Sequence, residues 1–260
     1  MFATRPHQDN QASSARLAWR RRVGALCALP IASLLALTGC QGIVSTPTLS
    51  QIRIIDASPD APGLDFYEGT TALAYNLGFG TITSYVPINP STYTFSVKSA
   101  GTTTVLATAK STLVSSRQYS ILINDSSASL QETILQDQNQ PAPSGQISMR
   151  FIDEASAISA VDVYLIPAGQ KLTNVTPVYT NLTLSTNTGY LNVPIGTYTL
   201  VLVPTGTVPT STTIATYTGA QVTYNSGAAR TFILINQQLL TTPGVQVITA
   251  DDYDSPTATS

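Results

Sequence analysis

Apolar and polar positions alternate with a period of two along most of the chain beyond residue 50. Leu64 and Phe66 fall on one side of a short run, with Asp65 and Tyr67 on the other, and Val161, Val163 and Leu165 repeat that pattern against Asp162 and Tyr164. Tyr93, Phe95 and Val97 alternate with Thr94, Ser96 and Lys98, and Tyr119, Ile121 and Ile123 alternate with Ser120 and Leu122. This spacing puts one side of each segment against a core and predicts half-buried strands. No dozen residues in this part sustain the 3.6-residue spacing of an amphipathic helix, so no long helix is expected. About seven or eight short strands per roughly 90 to 105 residues, with turn signals every 8 to 12, predict an all-β chain of two tandem immunoglobulin-like or fibronectin-like antiparallel β-sandwich domains. A small barrel is the alternative. Tyr198, in Gly196-Thr197-Tyr198-Thr199, is read as a core aromatic at a strand start rather than as a tyrosine at a strand corner.

The two halves resemble each other. Arg53-Ile54-Ile55-Asp56 recurs as Arg150-Phe151-Ile152-Asp153, and Asp65-Phe66-Tyr67 as Asp162-Val163-Tyr164, both at an offset of 97. Tyr85 and Thr92-Tyr93-Thr94 match Tyr190 and Thr197-Tyr198-Thr199 at 105, and Ile121-Leu122-Ile123-Asn124 is aligned with Ile233-Leu234-Ile235-Asn236 at 112. Offsets that rise in steps describe one fold copied, with two connections lengthened in the second copy, between Tyr164 and Tyr190 and between Gly206 and Ile233. The expected division is residues 51–138 and 146–252 for the two sandwiches, 139–145 for a Pro-containing linker, and 253–260 for a flexible tail.

The N-terminal segment reads differently. Arg20, Arg21 and Arg22 precede an apolar stretch from Val23 to Leu37, which closes on Leu37-Thr38-Gly39-Cys40. This is the pattern of a lipoprotein signal peptide, residues 1–39, cleaved before a cysteine that receives diacylglycerol and a fatty acyl chain. A retained membrane helix would need roughly 20 apolar residues, and Val23 to Gly39 offers 17 with Pro30 inside. Residues 40–50 then form a lipidated tether. The expected location is the bacterial envelope, at the outer membrane or facing the periplasm, with the membrane reached through the anchor and export by the general or the twin-arginine route.

Cleavage alters the charge balance. Five of the twelve basic residues and the only histidine, His7, precede Cys40, leaving seven basic against thirteen acidic residues. That acidic balance excludes a basic nucleic-acid footprint. Cys27 lies inside the signal, so the mature chain has no second thiol for a disulfide. Without histidine or a free thiol it lacks the means for a Ser-His-Asp or Cys-His arrangement or a typical zinc or copper site, and no phosphate-binding glycine loop follows a strand.

Two residue types remain as candidates. Asp56, Asp60 and Asp65 crowd a Pro-containing turn, where carboxylates serve either as calcium ligands or as acceptors for turn N–H groups; the second role is favoured, and no cofactor beyond the lipid is expected. Tyr67 and Tyr164 lie opposite the apolar side of their strands beside Asp65 and Asp162. An aromatic ring with a carboxylate on a flat sheet suits a sugar ring, whereas the plainer role, which is favoured, is to cover a sheet face or pack at the domain junction.

The run Ile54-Ile55-Asp56-Ala57-Ser58-Pro59-Asp60-Ala61-Pro62-Gly63-Leu64-Asp65-Phe66-Tyr67, followed by the Tyr93 strand, resembles the bacterial domain-of-unknown-function family 4397. The resemblance implies an envelope or secreted protein, often with two tandem copies and a lipoprotein signal. In the second half Glu154-Ala155-Ser156-Ala157 replaces the Ser-Pro-Asp-Ala-Pro run, which weakens any ligand role for that loop there. The expectation is a non-enzymatic, lipid-anchored envelope protein acting as scaffold or in protein or glycan contact. The alternative is a carbohydrate-binding module or weak carboxylate-based glycosidase using Tyr67, Tyr164, Asp56 and Asp65.

Overall fold

The computed structural model describes residues 48–237 and 244–254; the signal segment, Cys40 and the end of the tail lie outside the described residues. Eight strands build the first half: β1 (Ser50–Asp56), β2 (Leu64–Glu68), β3 (Thr71–Leu77), β4 (Val86–Ile88), β5 (Thr92–Ser99), β6 (Val105–Thr112), β7 (Gln118–Asn124) and β8 (Gln131–Asp137). Eight more build the second: β9 (Gln146–Asp153), β10 (Val161–Pro167), β11 (Tyr179–Leu182), β12 (Asn187–Pro194), β13 (Gly196–Pro204), β14 (Tyr217–Tyr224), β15 (Ala229–Asn236) and β16 (Val245–Tyr253). The one helical element among the described residues is a single 3-10 turn, Leu172–Asn174.

Each half is a β-sandwich of two four-stranded sheets. The first pairs β4-β1-β7-β8 with β3-β2-β5-β6, and the second pairs β12-β9-β15-β16 with β11-β10-β13-β14, so the strand order is the same in both. The sheets are not purely antiparallel as expected: β1 runs parallel to β7, and β9 to β15. Those partners are separated in sequence by the whole opposite sheet, so the chain returns to its starting sheet in the starting direction.

The alternation read from the sequence places Ile52, Ile54, Leu64, Phe66, Phe95, Val97, Ile121 and Ile123 in the first core. Phe66 and Phe95 stack there at 5.7 Å, and Phe151 and Phe232 do the same at 5.2 Å in the second core. Tyr198 is a corner residue after all: its hydroxyl donates to the carbonyl of Pro194 at 3.0 Å while its ring packs on the core, and Tyr93 donates likewise to Asn89 at 2.9 Å. Four residues back along the chain is the reach of a tyrosine hydroxyl folded over a strand entry.

The sheets containing β1 and β9 are buried on both faces. Ile55, Leu122 and Leu135 of one meet Ile152, Ile233, Ile235 and Ala250 of the other in a third apolar cluster. The two sandwiches therefore stack as four layers, with these two inner sheets in the middle. This double burial corrects the alignment of the halves by one residue. Ile54 pairs with Ile121 where Phe151 pairs with Phe232, so Leu122 corresponds to Ile233 rather than to Leu234. In a strand, a one-residue slip exchanges the faces, and with apolar residues on both faces the sequence pattern does not reveal it.

A polar cluster sits inside this apolar interface. Arg53 on β1 is 2% exposed and reaches across to the carboxylate of Asp252 on β16. Arg150 on β9 reaches back to Asp137 on β8, Nη2 to Oδ1, at 2.5 Å. Each arginine also donates through Nε to a hydroxyl on its own sheet, Ser120 at 2.7 Å and Thr231 at 2.9 Å. Each of those hydroxyls donates onward to an aspartate Oδ2 at 2.6 Å, Asp137 and Asp252 respectively. Tyr85 and Tyr190 complete the set. Their hydroxyls donate to Asp137 and Asp252 at 2.7 and 2.9 Å, and their rings lie under the Arg53 and Arg150 guanidinium groups at 4.6 and 4.7 Å. Burial alone would lower the Arg53 pKa, but the charges of Asp137 and Asp252 outweigh it and hold the guanidinium protonated.

β1 and β9 end in a further matched pair. Asp56 accepts the N–H of Ser58 at 3.0 Å, and Asp153 accepts that of Ala155 at 2.9 Å, each a turn closed by the side chain two residues back. Burial pushes both carboxyls up to about 6, with the N–H bonds partly opposing the shift.

Removing one partner of a buried ion pair strands the other charge, at a cost of about 3–5 kcal/mol. Asp252→Ala should therefore destabilise the chain by about that amount in denaturant unfolding, whereas Arg53→Met combined with Asp252→Leu should recover most of the loss; equal losses in both variants would refute the pairing. Asp56 and Asp153 predict a pH effect. The folded state binds their protons more tightly than the unfolded chain, so their contribution is full below about pH 4 and is lost as pH rises through about 6. The melting temperature should fall across that interval, and the Asp56→Asn, Asp153→Asn double variant should flatten the profile.

Candidate functional site

The residues singled out on β2 and β10 part company in the structure. Asp65 and Asp162 are both buried and both hold loops. Asp65 accepts the N–H of Asn76 at 2.8 Å through Oδ1 and that of Gly101 at 2.9 Å through Oδ2, which places its pKa below the usual carboxylate range. Asn76 and Gly101 have φ of 49° and 71°, left-handed turns that present their N–H groups to the carboxylate. Asp162 accepts the N–H of Asn181 and the hydroxyl of Thr205, both at 2.9 Å and both through Oδ1.

Tyr67 and Tyr164 differ more. Tyr67 is half-buried on the outer face of the first sandwich, with the Lys98 ammonium 4.0 Å from its ring centroid. Tyr75 on β3 meets it edge to face at 6.4 Å and 85° and is itself 69% exposed. Together with Asp65, Asn76, Ala100, Gly101, Thr102 and Thr103 these rings line a shallow open groove of about 880 Å³. Its floor is aromatic and its rim carries hydroxyl, amide and main-chain groups, the mixture that a sugar ring requires: an apolar face to stack on and polar edges to bond.

Tyr164 is corrected as a sugar-stacking candidate. It is 3% exposed, packed with Val201 and Val203 and covered by Ile166, Leu172, Val175 and Ala215. Leu172 and Val175 belong to the connection between β10 and β11, and Ala215 to that between β13 and β14; these are the two connections that are longer in the second half. Five residues join β5 to β6, whereas twelve join β13 to β14. Asn181 corresponds to Asn76, since each donates its N–H to the matched aspartate, and so Thr180 stands where the first sandwich has Tyr75. The groove is thus open in one sandwich and built over in the other. Tyr75 was missed from sequence because β3 shifts register twice against β2, between Leu64 and Phe66 and between Phe66 and Tyr67, which breaks the alternation that marks exposed positions.

Asp56, Asp60 and Asp65 do not come together. Asp56 closes its own turn, Asp60 accepts the Ser127 N–H at 2.8 Å and its hydroxyl at 3.2 Å, and Asp65 holds the groove loops. Among the described residues no three His, Cys, Asp or Glu side chains are placed to hold a metal ion, and no helix is long and apolar enough to cross a membrane.

No curated protein matches the chain. Among solved structures, a family 26 carbohydrate-binding module from Eubacterium rectale Amy13K, in complex with maltoheptaose, aligns at 12% identity over 80% of this chain and 99% of that chain, with a TM-score of 0.22. A candidate cell adhesion protein from Bacteroides fragilis aligns at 10% identity over 82% and 100%, with a TM-score of 0.19. Likeness at this level says nothing of what the groove binds. The family model of a domain of unknown function, DUF4397, matches from the start of β1 to Tyr164 on β10. The matched stretch, residues 50–164, includes the whole first sandwich and its open groove, and over it the chain is similar to the DUF4397 family.

Proposed function

We propose that the chain is a non-enzymatic protein of the bacterial envelope, held by a lipid on Cys40, whose stacked sandwiches present the Tyr67–Tyr75 groove to a glycan. One observation carries the binding role: the same face is open in the first sandwich and filled in the second. Two outer sheets of one strand order have been treated differently, and the open one keeps a largely exposed tyrosine in contact with a second ring. Exposed aromatic surface of this kind gains free energy when a partner covers it.

The groove favours binding over hydrolysis. Its one carboxylate, Asp65, has both oxygens committed to main-chain N–H groups, and glycoside hydrolysis needs a pair of acids facing each other across the bond. Lys98 and the loop Gly101 to Thr103 supply donors around the rings, which suits sugar hydroxyls. The four-layer stack gives the groove a rigid backing at the outer end of the molecule. Cys40 precedes β1 by ten residues, enough for a short spacer between membrane and fold.

A glycan array and a cell-wall pull-down with the intact chain should give a saturable signal. Tyr75→Ala should weaken it by roughly tenfold, the order expected for losing a stacked ring. Tyr164→Ala should leave glycan affinity unchanged while lowering stability by about 3–5 kcal/mol, as for a large aromatic removed from a core. Binding unchanged in a Tyr67→Ala, Tyr75→Ala variant would overturn the groove assignment. Separately, Cys40→Ser should abolish fatty-acid labelling and release the protein from membranes; labelling that persists would refute the anchor.

A further inference from the structure

A second cleft lies where the loops of the two sandwiches meet. Pro59 follows β1, Asp125, Ser126 and Ser129 join β7 to β8, Glu154 and Ser156 follow β9, and Leu184 precedes β12; together they enclose about 210 Å³. Both halves of the molecule contribute, so this cleft exists only because the inner sheets are stacked.

Glu154 is its most unusual group. Only 8% of the residue is exposed, and one carboxylate oxygen, Oε2, accepts the Asn124 amide from the other sandwich at 3.3 Å. Among the described residues Oε1 accepts no hydrogen bond, and the side chain lines the cleft. Asp125, which also lines the cleft, uses Oδ2 for the Gln131 amide at 2.8 Å, and no bond among the described residues engages Oδ1. Burial pushes the Glu154 carboxyl up to about 7, the Asn124 bond opposes that, and the neighbouring charges of Asp125 and Asp153 raise it further. Among the described residues no basic side chain lines the cleft. An acid so placed has an amide partner on one oxygen but lacks the cationic partner that buried charged carboxylates ordinarily have.

The other walls say what kind of cation fits. Three serine hydroxyls add acceptors beside the two carboxylates, while Pro59 and Leu184 supply an apolar side. Among the described residues no three His, Cys, Asp or Glu side chains gather here to hold a metal ion, and a hydrated ion has no use for an apolar wall. We infer that this cleft is a binding site for a primary ammonium group carried on a short carbon frame, with Glu154 and Asp125 as its acceptors and Pro59 and Leu184 against its carbons. Such a group could come from a free amine or amino sugar, or from a lysine side chain on another protein. The site is separate from the Tyr67–Tyr75 groove, and its test does not depend on glycan binding there.

Calorimetric titration of the intact chain near pH 6.5 with 1,5-diaminopentane, glucosamine and an acetyl-lysine-capped control peptide beside its unacetylated form would test this. At least one free-amine probe should bind with a millimolar constant, the acetylated peptide should not, and binding should release a fraction of a proton as Glu154 ionises, read from the dependence of heat on buffer ionisation enthalpy. Binding of diaminopentane or glucosamine would point to a free amine, and binding of the unacetylated peptide alone to a lysine on a partner. Glu154→Gln should weaken binding at least about tenfold and remove the proton release, with Asp125→Asn also weakening it. Retained melting cooperativity in both variants would show that the fold survives. No binding by any amine, equal binding by Glu154→Gln, or a response to calcium alone would overturn the assignment.

Discussion

The exchange of charge between the two inner sheets is the constraint on which the rest of the molecule depends. Arg53 reaches for Asp252 and Arg150 for Asp137, each crossing the interface to the other sandwich. Apolar faces alone would allow the sheets to slide over each other with little change in energy, because burial is non-directional. Guanidinium and carboxylate groups fully withdrawn from water tolerate few geometries, so the cluster selects one stacking among many. The hydroxyls of Ser120, Thr231, Tyr85 and Tyr190 fill the remaining sites on the aspartates, which is what makes burial of four charges tolerable.

That stacking has consequences at both ends of the molecule. It commits the inner sheets to the interior and leaves the outer sheets as the faces available for contact. It also brings the loops after β1, β7 and β9 together, so that an acidic cleft forms from residues of both halves. The two halves have diverged where the stack does not restrain them. Residues of the interface keep their identity or chemistry, Arg with Arg, Tyr with Tyr, Ser with Thr, Asp with Asp, whereas the outer face is open over Tyr67 and roofed over Tyr164.

Much of this was legible in the chain. Alternation at Leu64, Phe66, Phe95, Val97, Ile121 and Ile123 named the first core, because a strand with one face buried writes its environment into every second residue. The matched Arg53 and Arg150, Tyr85 and Tyr190 were visible as repeats, but nothing local tells an arginine that pairs across an interface from one that faces water. Tyr164 was not separable from Tyr67 for a similar reason: its strand carries the same alternation, and what covers it comes from loops 8 to 51 residues further on. Tyr75 escaped because a strand with shifted register loses the period.

The sequence by itself determined the class of structure, the two-fold repetition, the positions of the cores and the absence of histidine and thiol chemistry after Cys40, since these follow from residue type and local spacing. Only the tertiary structure decided that β1 and β7 run parallel, that the sandwiches stack through a buried exchange of arginines, that one tyrosine is roofed and its counterpart open, and that Glu154 faces a cleft shared by both halves. Those outcomes depend on which distant segments share a surface, and a periodicity records only that a face is buried, never what buries it.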